Sequence, residues 1–237
     1  IAAKRAAIRI EARRLLVLGA LGMAVCGAFP YIGGRHTSAV NIGLIYAVSP
    51  VLIALASSLW LRERFGTLAW LGVAAALGGV LHILSRGQWQ ALAEVRIKPG
   101  DVWVAAAAVA WTAYSLLLRA WPSAFGSLAR LTLIACGGVL VLVPFAVGEA
   151  LFWLPSTLSW QSVGLVLAAA LLPGAAAYGA YSFMQRVLGA ARVGMVLYLG
   201  PIYSAVVAWA VLGERIEAFH FVGAAAILAG IWLSTRR

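Results

Sequence analysis

Residues 37–65 read TSAVNIGLIYAVSPVLIALASSLWLRERF, and a segment with the same skeleton, AARVGMVLYLGPIYSAVVAWAVLGERI, occupies residues 190–216. Each is a long apolar run that holds a proline near its middle and ends in a Glu-Arg pair. At a constant offset of 151 residues the identical pairs include Gly43/Gly194, Pro50/Pro201, Glu63/Glu214, Arg64/Arg215, Gly72/Gly223 and Gly79/Gly230. A gap-free skeleton of glycine, proline and charge indicates an internal duplication.

The composition places the chain in a membrane. Of its 237 residues, 64% are hydrophobic and 11% are charged, whereas a soluble domain is about half apolar and about a quarter charged. A helix needs about 20 apolar residues to cross the hydrocarbon core. Eight stretches come close to this length without period-two alternation, which predicts helices and disfavours an outer-membrane barrel. They are residues 15–33, 38–61, 67–84, 102–120, 128–148, 163–184, 193–212 and 218–234.

The offset also fixes the size of the repeat. The second predicted span matches the seventh and the third matches the eighth, so one repeat contains five helices. Because five is odd, the two copies should be inverted relative to each other, as in many alternating-access transporters. We therefore expect an all-α polytopic membrane protein of ten helices, eight of them visible, in one membrane domain. Residues 1–90 would be the first repeat without its first two helices, and residues 91–237 the second repeat.

The basic residues predict the orientation. Thirteen of the 18 Lys and Arg residues lie on the side that holds the N-terminus, and five lie on the other side. Because positive charge is retained in the cytoplasm, both visible termini are expected there. The charge is spread over the ends of the spans and forms no continuous stripe, so we expect no nucleic-acid partner.

The two quoted segments resemble the fourth and ninth helices of the drug/metabolite transporter superfamily, in particular its EamA-type members. Residues 100–119, GDVWVAAAAVAWTAYSLLLR, resemble the sixth helix, and the likeness covers residues 14–237. The resemblance implies a secondary transporter that exports small metabolites, often amino acids, across the bacterial inner membrane. The aromatic residues on the cavity helices are similar to those of YddG-like aromatic amino-acid exporters. The alternative is a broad-specificity exporter of drugs or cationic compounds from the same superfamily.

The resemblance also implies that the cavity lies between the first, second, fourth, sixth and seventh spans seen here. The polar and aromatic residues at suitable depth on these spans are the predicted substrate-binding residues: Tyr31, Asn41, Tyr46, Ser49, Trp111, Tyr114, Ser115, Tyr178, Ser182 and Tyr198. Aromatic faces stack on rings or attract an ammonium group, and hydroxyl groups orient a ligand. The same residue types also pack in protein cores. As a set they predict a neutral, amphipathic substrate.

The two prolines are candidates for helix breaks. Pro50 and Pro201 each remove one backbone hydrogen bond and free the carbonyl group four residues earlier, at Tyr46 and Leu197. Such a carbonyl group can accept a hydrogen bond from a substrate ammonium group, as in other broken membrane helices. The other interpretation is a kink that only shapes the packing.

The Glu-Arg pairs admit two interpretations as well. If the repeat is inverted, Glu63 and Arg64 lie at the cytoplasmic mouth of the pathway, and Glu214 and Arg215 lie at the outer mouth. Each pair either anchors a helix end in water or latches its own gate in alternation with the other.

Several functions are not expected. No charged residue lies in the central part of a predicted span, where such residues usually mark function, so a phosphate-bearing substrate is disfavoured. No metal-ligand or nucleophile motif is present, so we expect no enzyme, catalytic residue, metal site or cofactor. A channel is disfavoured by the inverted repeat. Small-residue pairs such as Ala75/Gly79 and Ala226/Gly230 predict close packing or dimerisation of the last helix of each repeat, in a monomer or weak dimer.

Overall fold

Long helices dominate the structure. This computed structural model describes residues 2–152 and 159–236; Ile1, residues 153–158 and Arg237, which the predicted repeats include, lie outside the described residues. In the described part, eight helices are long and apolar enough to cross a membrane, so the predicted all-helical membrane fold is confirmed. They are α1 (Arg9–Gly34, helical from Ala2), α2 (Ala39–Trp60), α3 (Thr67–Leu84), α4 (Pro99–Ala120), α5 (Ser127–Phe152), α6 (Trp160–Leu188), α7 (Ala190–Leu212) and α8 (Ala218–Thr235).

Three of these helices depart from regular α geometry. A π-helical segment interrupts α1 at Ala20–Val25 and another interrupts α6 at Ala170–Ala177. In α7, a 3₁₀ segment at Met195–Leu199 is followed by the α-helical stretch Gly200–Val207 and by a π-helical end at Ala208–Leu212. By contrast, α2 is α-helical along its whole length. The two segments that are related in sequence therefore differ in their backbone regularity.

The helices α3 and α8 form the most extensive helix pair, and glycine allows their close approach. A Cβ atom on Gly79 would lie 2.6 Å from the carbonyl oxygen of Gly223, and one on Gly72 would collide with the carbonyl oxygen of Gly230. Residue numbers rise along one helix as they fall along the other, so the pair is antiparallel. In the repeat, Gly230 is the counterpart of Gly79, and Gly223 is the counterpart of Gly72. Each of the two α3 glycines therefore contacts the counterpart of the other one. This reciprocal contact has local two-fold symmetry and supports the inverted duplication, which stays a prediction.

The helix α4 organises the rest of the bundle, because it packs against both α1 and α2. On the α1 side, the buried ring of Tyr114 lies where Gly22 leaves room for it. The same part of α1 packs on α5, where Gly19 and Gly138 bring the two backbones together. This packing holds α4 in position, and its inner face then forms one wall of a cavity.

Candidate functional site

A cavity of about 700 Å³ lies between α1, α2, α4, α6 and α7 and extends to α3 and α8. Its lining consists of Cys26, Ala39, Ile42, Gly43, Tyr46, Ala47, Val80, Ile83, Leu84, Trp111, Tyr178, Leu197, Tyr198, Gly200, Pro201, Ser204, Ala205, Ala208, Glu214 and His220. Cavities that bind small molecules measure about 300–1,000 Å³ and are mostly apolar with a few polar groups. This cavity has the size and the lining of such a site.

The cavity opens toward one end of the bundle. At that end α2 begins at Ala39, α3 ends at Leu84, and Glu214 and His220 lie around the start of α8; all four residues belong to the lining. We call this end the Glu214 end. The opposite end, where α2 finishes and α7 begins, contributes no lining residue before Leu197 of α7. We call it the Glu63 end.

Aromatic side chains form the deep wall. The rings of Trp111 and Tyr178 are perpendicular, with centroids 5.4 Å apart, and Trp111 also contacts Tyr114 at 5.4 Å and Tyr181 at 5.1 Å. The hydroxyl group of Tyr178 donates to the carbonyl oxygen of Gly22 at 2.6 Å. Among the described groups, Nε1 of Trp111 has no hydrogen-bond partner. The Tyr178 hydrogen bond therefore fixes the orientation of the wall, and the hydroxyl group of Tyr114 is a second donor without a partner among the described groups.

Polar side chains behind this wall hold it in place. Ser115 is fully buried, and its hydroxyl oxygen lies 2.7 Å from the hydroxyl oxygen of Tyr181. Gln185 donates to the carbonyl oxygen of Ser115 at 2.9 Å, which ties α6 to α4. Tyr114 and Ser182 are buried too, and neither belongs to the cavity lining. Of the predicted binding residues, Tyr114, Ser115 and Ser182 therefore lie behind the residues that a ligand in this cavity would touch.

The helices α2 and α7 supply the other wall. Tyr46 from α2 and Tyr198, Pro201 and Ser204 from α7 face the cavity. Pro201 is the second residue after the 3₁₀ segment, so the break in α7 lies on the cavity surface. Pro50 is fully buried within a continuous α-helix and does not reach the lining. The two prolines thus occupy equivalent sequence positions and different environments.

Three other predicted binding residues lie away from the cavity. Tyr31 is 78% exposed on α1, and Ser49 is fully buried in α2. The amide group of Asn41 donates to Asp101 at 2.7 Å and to the carbonyl oxygen of Arg96 at 2.9 Å. These hydrogen bonds join the start of α2 to the start of α4. Asn41 therefore has a structural role at the Glu214 end.

Glu63 has contacts that the sequence does not indicate. Its carboxylate oxygens accept hydrogen bonds from the backbone N–H groups of Ala190 and Ala191, each at 3.0 Å. One of these oxygens also lies 3.6 Å from Nε of Arg119. The adjacent Arg64 is exposed. The carboxylate thus joins the end of α2 to the first turn of α7 and to the last turn of α4.

Its counterpart Glu214 is in a different situation. Glu214 and Arg215 are exposed, and Glu214 lies at the mouth of the cavity. Of the described residues that line the cavity, Glu214 alone carries a formal charge. Nearby, Nδ1 of His220 accepts a hydrogen bond from the backbone N–H group of Glu217 at 3.0 Å. An approaching cation or ammonium group would meet the Glu214 carboxylate before the aromatic wall.

Sequence reasoning missed several residues of this site. Ser204 lies one helical turn after Pro201, and Tyr181 lies one turn after Tyr178, so helical spacing was the signal available for both. Cys26 and His220 also line the cavity, and neither is among the predicted binding residues. For Arg119 the sequence gives no signal, because only the tertiary fold brings it to Glu63.

Comparisons with known proteins identify a transporter family. The EamA-like transporter family matches residues 2–85 and 98–236 of this chain. An uncharacterized transporter of Bacillus subtilis, YyaM, is 25% identical over 96% of this chain and 74% of its own length. An uncharacterized transporter of Archaeoglobus fulgidus is 25% identical over 94% of this chain and 76% of its own length.

A third relative carries a more specific description. A probable terminal-alkyne amino-acid exporter of Streptantibioticus cattleyicolor is 27% identical over 94% of this chain and 73% of its own length. Among solved structures, one protein crystal structure superimposes with a TM-score of 0.75 at 19% identity, over 93% of this chain and 76% of the other. That likeness concerns the fold alone.

Proposed function

We infer that this chain, which belongs to the EamA-like transporter family, exports small amphipathic metabolites that carry an amine, with aromatic amino acids as the first candidates. The family assignment makes the chain a membrane transporter and not an enzyme. The substrate class, the inner-membrane location, the cytoplasmic termini and the alternating-access mechanism are our proposal.

The observation that carries the proposal is the composition of the cavity. Trp111, Tyr178, Tyr46 and Tyr198 surround a space with the capacity for an aromatic side chain, and Glu214 lies at its mouth. Aromatic faces attract both rings and ammonium groups. The described lining contains no Lys or Arg, so nothing in it favours a phosphate group over an amine.

The relative described as a probable amino-acid exporter supports the same substrate class. At 27% identity it supports the class of compound and not a particular amino acid. The superfamily alternative, export of drugs or lipophilic cations, draws on the same aromatic wall and the same carboxylate at the mouth. The two functions differ in whether a substrate carboxylate is required.

Transport by purified protein in proteoliposomes tests this proposal. We would load vesicles with unlabelled phenylalanine, tyrosine, tryptophan, leucine or lysine, with aromatic amines that lack the carboxylate, or with tetraphenylphosphonium. Uptake of the matching labelled compound is then measured with and without an imposed proton gradient. We expect trans-stimulated exchange of aromatic amino acids, at a higher rate than the exchange of the amines.

Three outcomes would count against parts of the proposal. Equal exchange of amines and tetraphenylphosphonium would favour the broad-specificity exporter. Flux without trans-stimulation by the unlabelled compound would reject the carrier mechanism. If protein that shows a cooperative thermal transition, and is therefore folded, gives no amino-acid flux in any condition, the proposed substrate class is rejected.

A further inference from the structure

We propose that Glu63 is a positioning residue of the transport cycle that closes one end of the cavity by capping α7, and that Glu214 caps α2 in the same way when the opposite end closes. The two carboxylates would thus act as alternating latches, each on the first turn of the other repeat's helix. This inference rests on the alternating-access transport proposed above, and it names the contacts that exchange.

The start of α7 depends on Glu63 for its cap. The first N–H groups of a helix have no partner within the helix and are normally satisfied by a side chain at the preceding residue. That residue is Gly189, which has no side chain and a φ of +87°, a conformation that favours glycine. A Cβ atom on it would lie 2.8 Å from the Glu63 carboxylate. Glu63 supplies from another helix the cap that α7 lacks.

The cap has both electrostatic and hydrogen-bonding parts. A carboxylate at a helix N-terminus accepts charge-assisted hydrogen bonds and interacts favourably with the helix dipole. The Glu63 side chain is 20% exposed and also contacts Arg119. Because α7 carries Tyr198 and Pro201 on the cavity wall, this contact fixes the wall from the closed end.

The backbone has the same geometry where α2 ends before Glu63 and where α7 ends before Glu214. After α2, Arg62 is left-handed with φ of 53°, and after α7 its counterpart Gly213 is left-handed with φ of 69°. The N–H group of Glu63 then donates to the carbonyl oxygen of Ser57 at 3.2 Å, and the N–H group of Glu214 donates to that of Ala208 at 3.3 Å. Both bonds reach six positions back along the chain across a left-handed residue, one position further than the 6→1 bond of a Schellman motif. The backbone therefore presents Glu63 and Glu214 equivalently, and the difference lies in what they face.

In the opposite state, we expect Glu214 to accept hydrogen bonds from the first turn of α2. By the 151-residue offset, the counterparts of Ala190 and Ala191 are Ala39 and Val40, which are exposed at the open end. Ser38 caps α2 locally by accepting a hydrogen bond from the N–H group of Asn41, one turn further in. This cap does not use the N–H groups of Ala39 and Val40, so Glu214 can accept hydrogen bonds from them. Ala39 and Glu214 both line the open mouth.

The glycine contact between α3 and α8 provides the pivot. Its reciprocal pairing, Gly72 with Gly230 and Gly79 with Gly223, allows the two halves to rock about a fixed contact. In this structure the Glu63 end is closed and the Glu214 end is open. An interconversion between symmetry-related states would release Ala190 and Ala191 from Glu63 and bring Ala39 and Val40 to Glu214.

Thiol accessibility in lipid nanodiscs tests the exchange without any need for substrate or for knowledge of the orientation. In a background with Cys26→Ser and Cys136→Ser, Ile42→Cys reports on the Glu214 end and Val193→Cys reports on the Glu63 end. Ile42 lines the cavity, whereas Val193 is fully buried. Labelling rates with a hydrophilic maleimide are measured for each reporter with Glu63→Gln, with Glu214→Gln and with both.

The two single variants should act in opposite directions. Glu63→Gln should raise labelling at Val193→Cys and lower it at Ile42→Cys, and Glu214→Gln should do the reverse. We expect a change of about fivefold in the ratio of the two rates, the size expected for loss of a helix cap. The double variant should return the ratio toward that of the unmutated protein. Glu149→Gln, an exposed carboxylate outside the cavity lining, should leave the ratio unchanged.

A structural role alone would not give this pattern. Loss of stability from Glu63→Gln would persist in the double variant and would not be reversed by a second loss. Single variants that shift the ratio in the same direction, or no shift from either, would overturn the proposal. Failure of the substrate assay with a normal accessibility pattern would reject the proposed substrate and leave the latches in place.

Discussion

Trp111 lies where three tyrosine rings and the cavity meet, so at the scale of single residues it is the best candidate for direct substrate contact. We expect Trp111→Ala to weaken apparent substrate affinity by about 1–2 kcal/mol, which is about five- to thirtyfold, because a ring–ring or ring–ammonium contact is lost. Trp111→Phe should keep most of the ring contact and lose the Nε1 donor, so its effect should be smaller. The measurement is the half-saturation concentration for counterflow in proteoliposomes.

A matched control exists on α7. Trp209 is 56% exposed and lies outside the cavity lining, so Trp209→Ala removes the same side chain from a different environment. It should leave the half-saturation concentration unchanged. Equal losses from both variants would show that tryptophan content, and not this wall, determines the affinity.

The residue scale also shows the limit of sequence reasoning. Tyr46 and Ser49 lie three residues apart on α2, so helical spacing places them on neighbouring positions of one face. The structure puts Tyr46 on the cavity and buries Ser49 fully. Residue type and depth could be predicted from the sequence, whereas the rotation of a helix depends on its neighbours. A helix that is apolar on every side carries little information about that rotation.

At the scale of helices, the break in α7 distinguishes two prolines that the sequence treats as equivalent. Pro201→Ala adds a backbone N–H group that can form an α-helical hydrogen bond at the junction on the cavity surface, where the Leu197 carbonyl oxygen accepts from the N–H group of Gly200. Because one such bond is worth about 1 kcal/mol, straightening the junction should slow transport by about fivefold. Pro50→Ala should leave the transport rate nearly unchanged, since Pro50 is buried within a continuous helix. The maximum exchange rate, normalised to folded protein, is the measurement, and equal slowing by both variants would contradict this view.

The contact between α3 and α8 gives a second prediction at this scale. Gly79→Leu should destabilise the fold by about 1–3 kcal/mol, because a larger side chain must enter a closely packed backbone contact. Gly78 is the control on the same helix, since a Cβ atom there would meet nothing within 4 Å. Gly78→Leu should therefore leave the thermal transition in detergent near its original temperature. A thermal transition of Gly79→Leu that also stays near the original temperature would show that the helix pair tolerates separation.

Span positions were easier to predict than contacts, and the reason is physical. Lipid requires every backbone group to be satisfied within the helix, so the length of an apolar run nearly determines where a helix lies. Seven of the eight predicted spans fall within observed helices, and the predicted span 38–61 exceeds α2 by one residue at each end. The irregular segments in α1, α6 and α7 escaped prediction, because a π or 3₁₀ turn changes the hydrogen-bond partner without changing the composition.

At the scale of the whole molecule, the contact between Glu63 and the start of α7 joins residues that are more than 120 positions apart. The sequence paired Glu63 with Arg64, and the fold pairs it with Arg119 and with two backbone N–H groups. Gly189 could have indicated a helix without a local cap. Which carboxylate reaches that helix is decided by the packing of α2, α4 and α7 together, which no local pattern encodes.

The orientation in the membrane is the last prediction, and it concerns the whole chain. Thirteen basic residues on the Glu63 side and five on the other side predict that the Glu63 end faces the cytoplasm. Thiols introduced by Arg64→Cys and Glu94→Cys, in the Cys26→Ser and Cys136→Ser background, lie on exposed loops at opposite ends. In intact cells an impermeant maleimide should label the Glu94→Cys variant, and the Arg64→Cys variant should react only after permeabilisation. The reverse pattern would place the open cavity mouth in the cytoplasm, and the structure would then represent the state that loads substrate for export. With the predicted orientation, it represents the state that releases substrate to the outside.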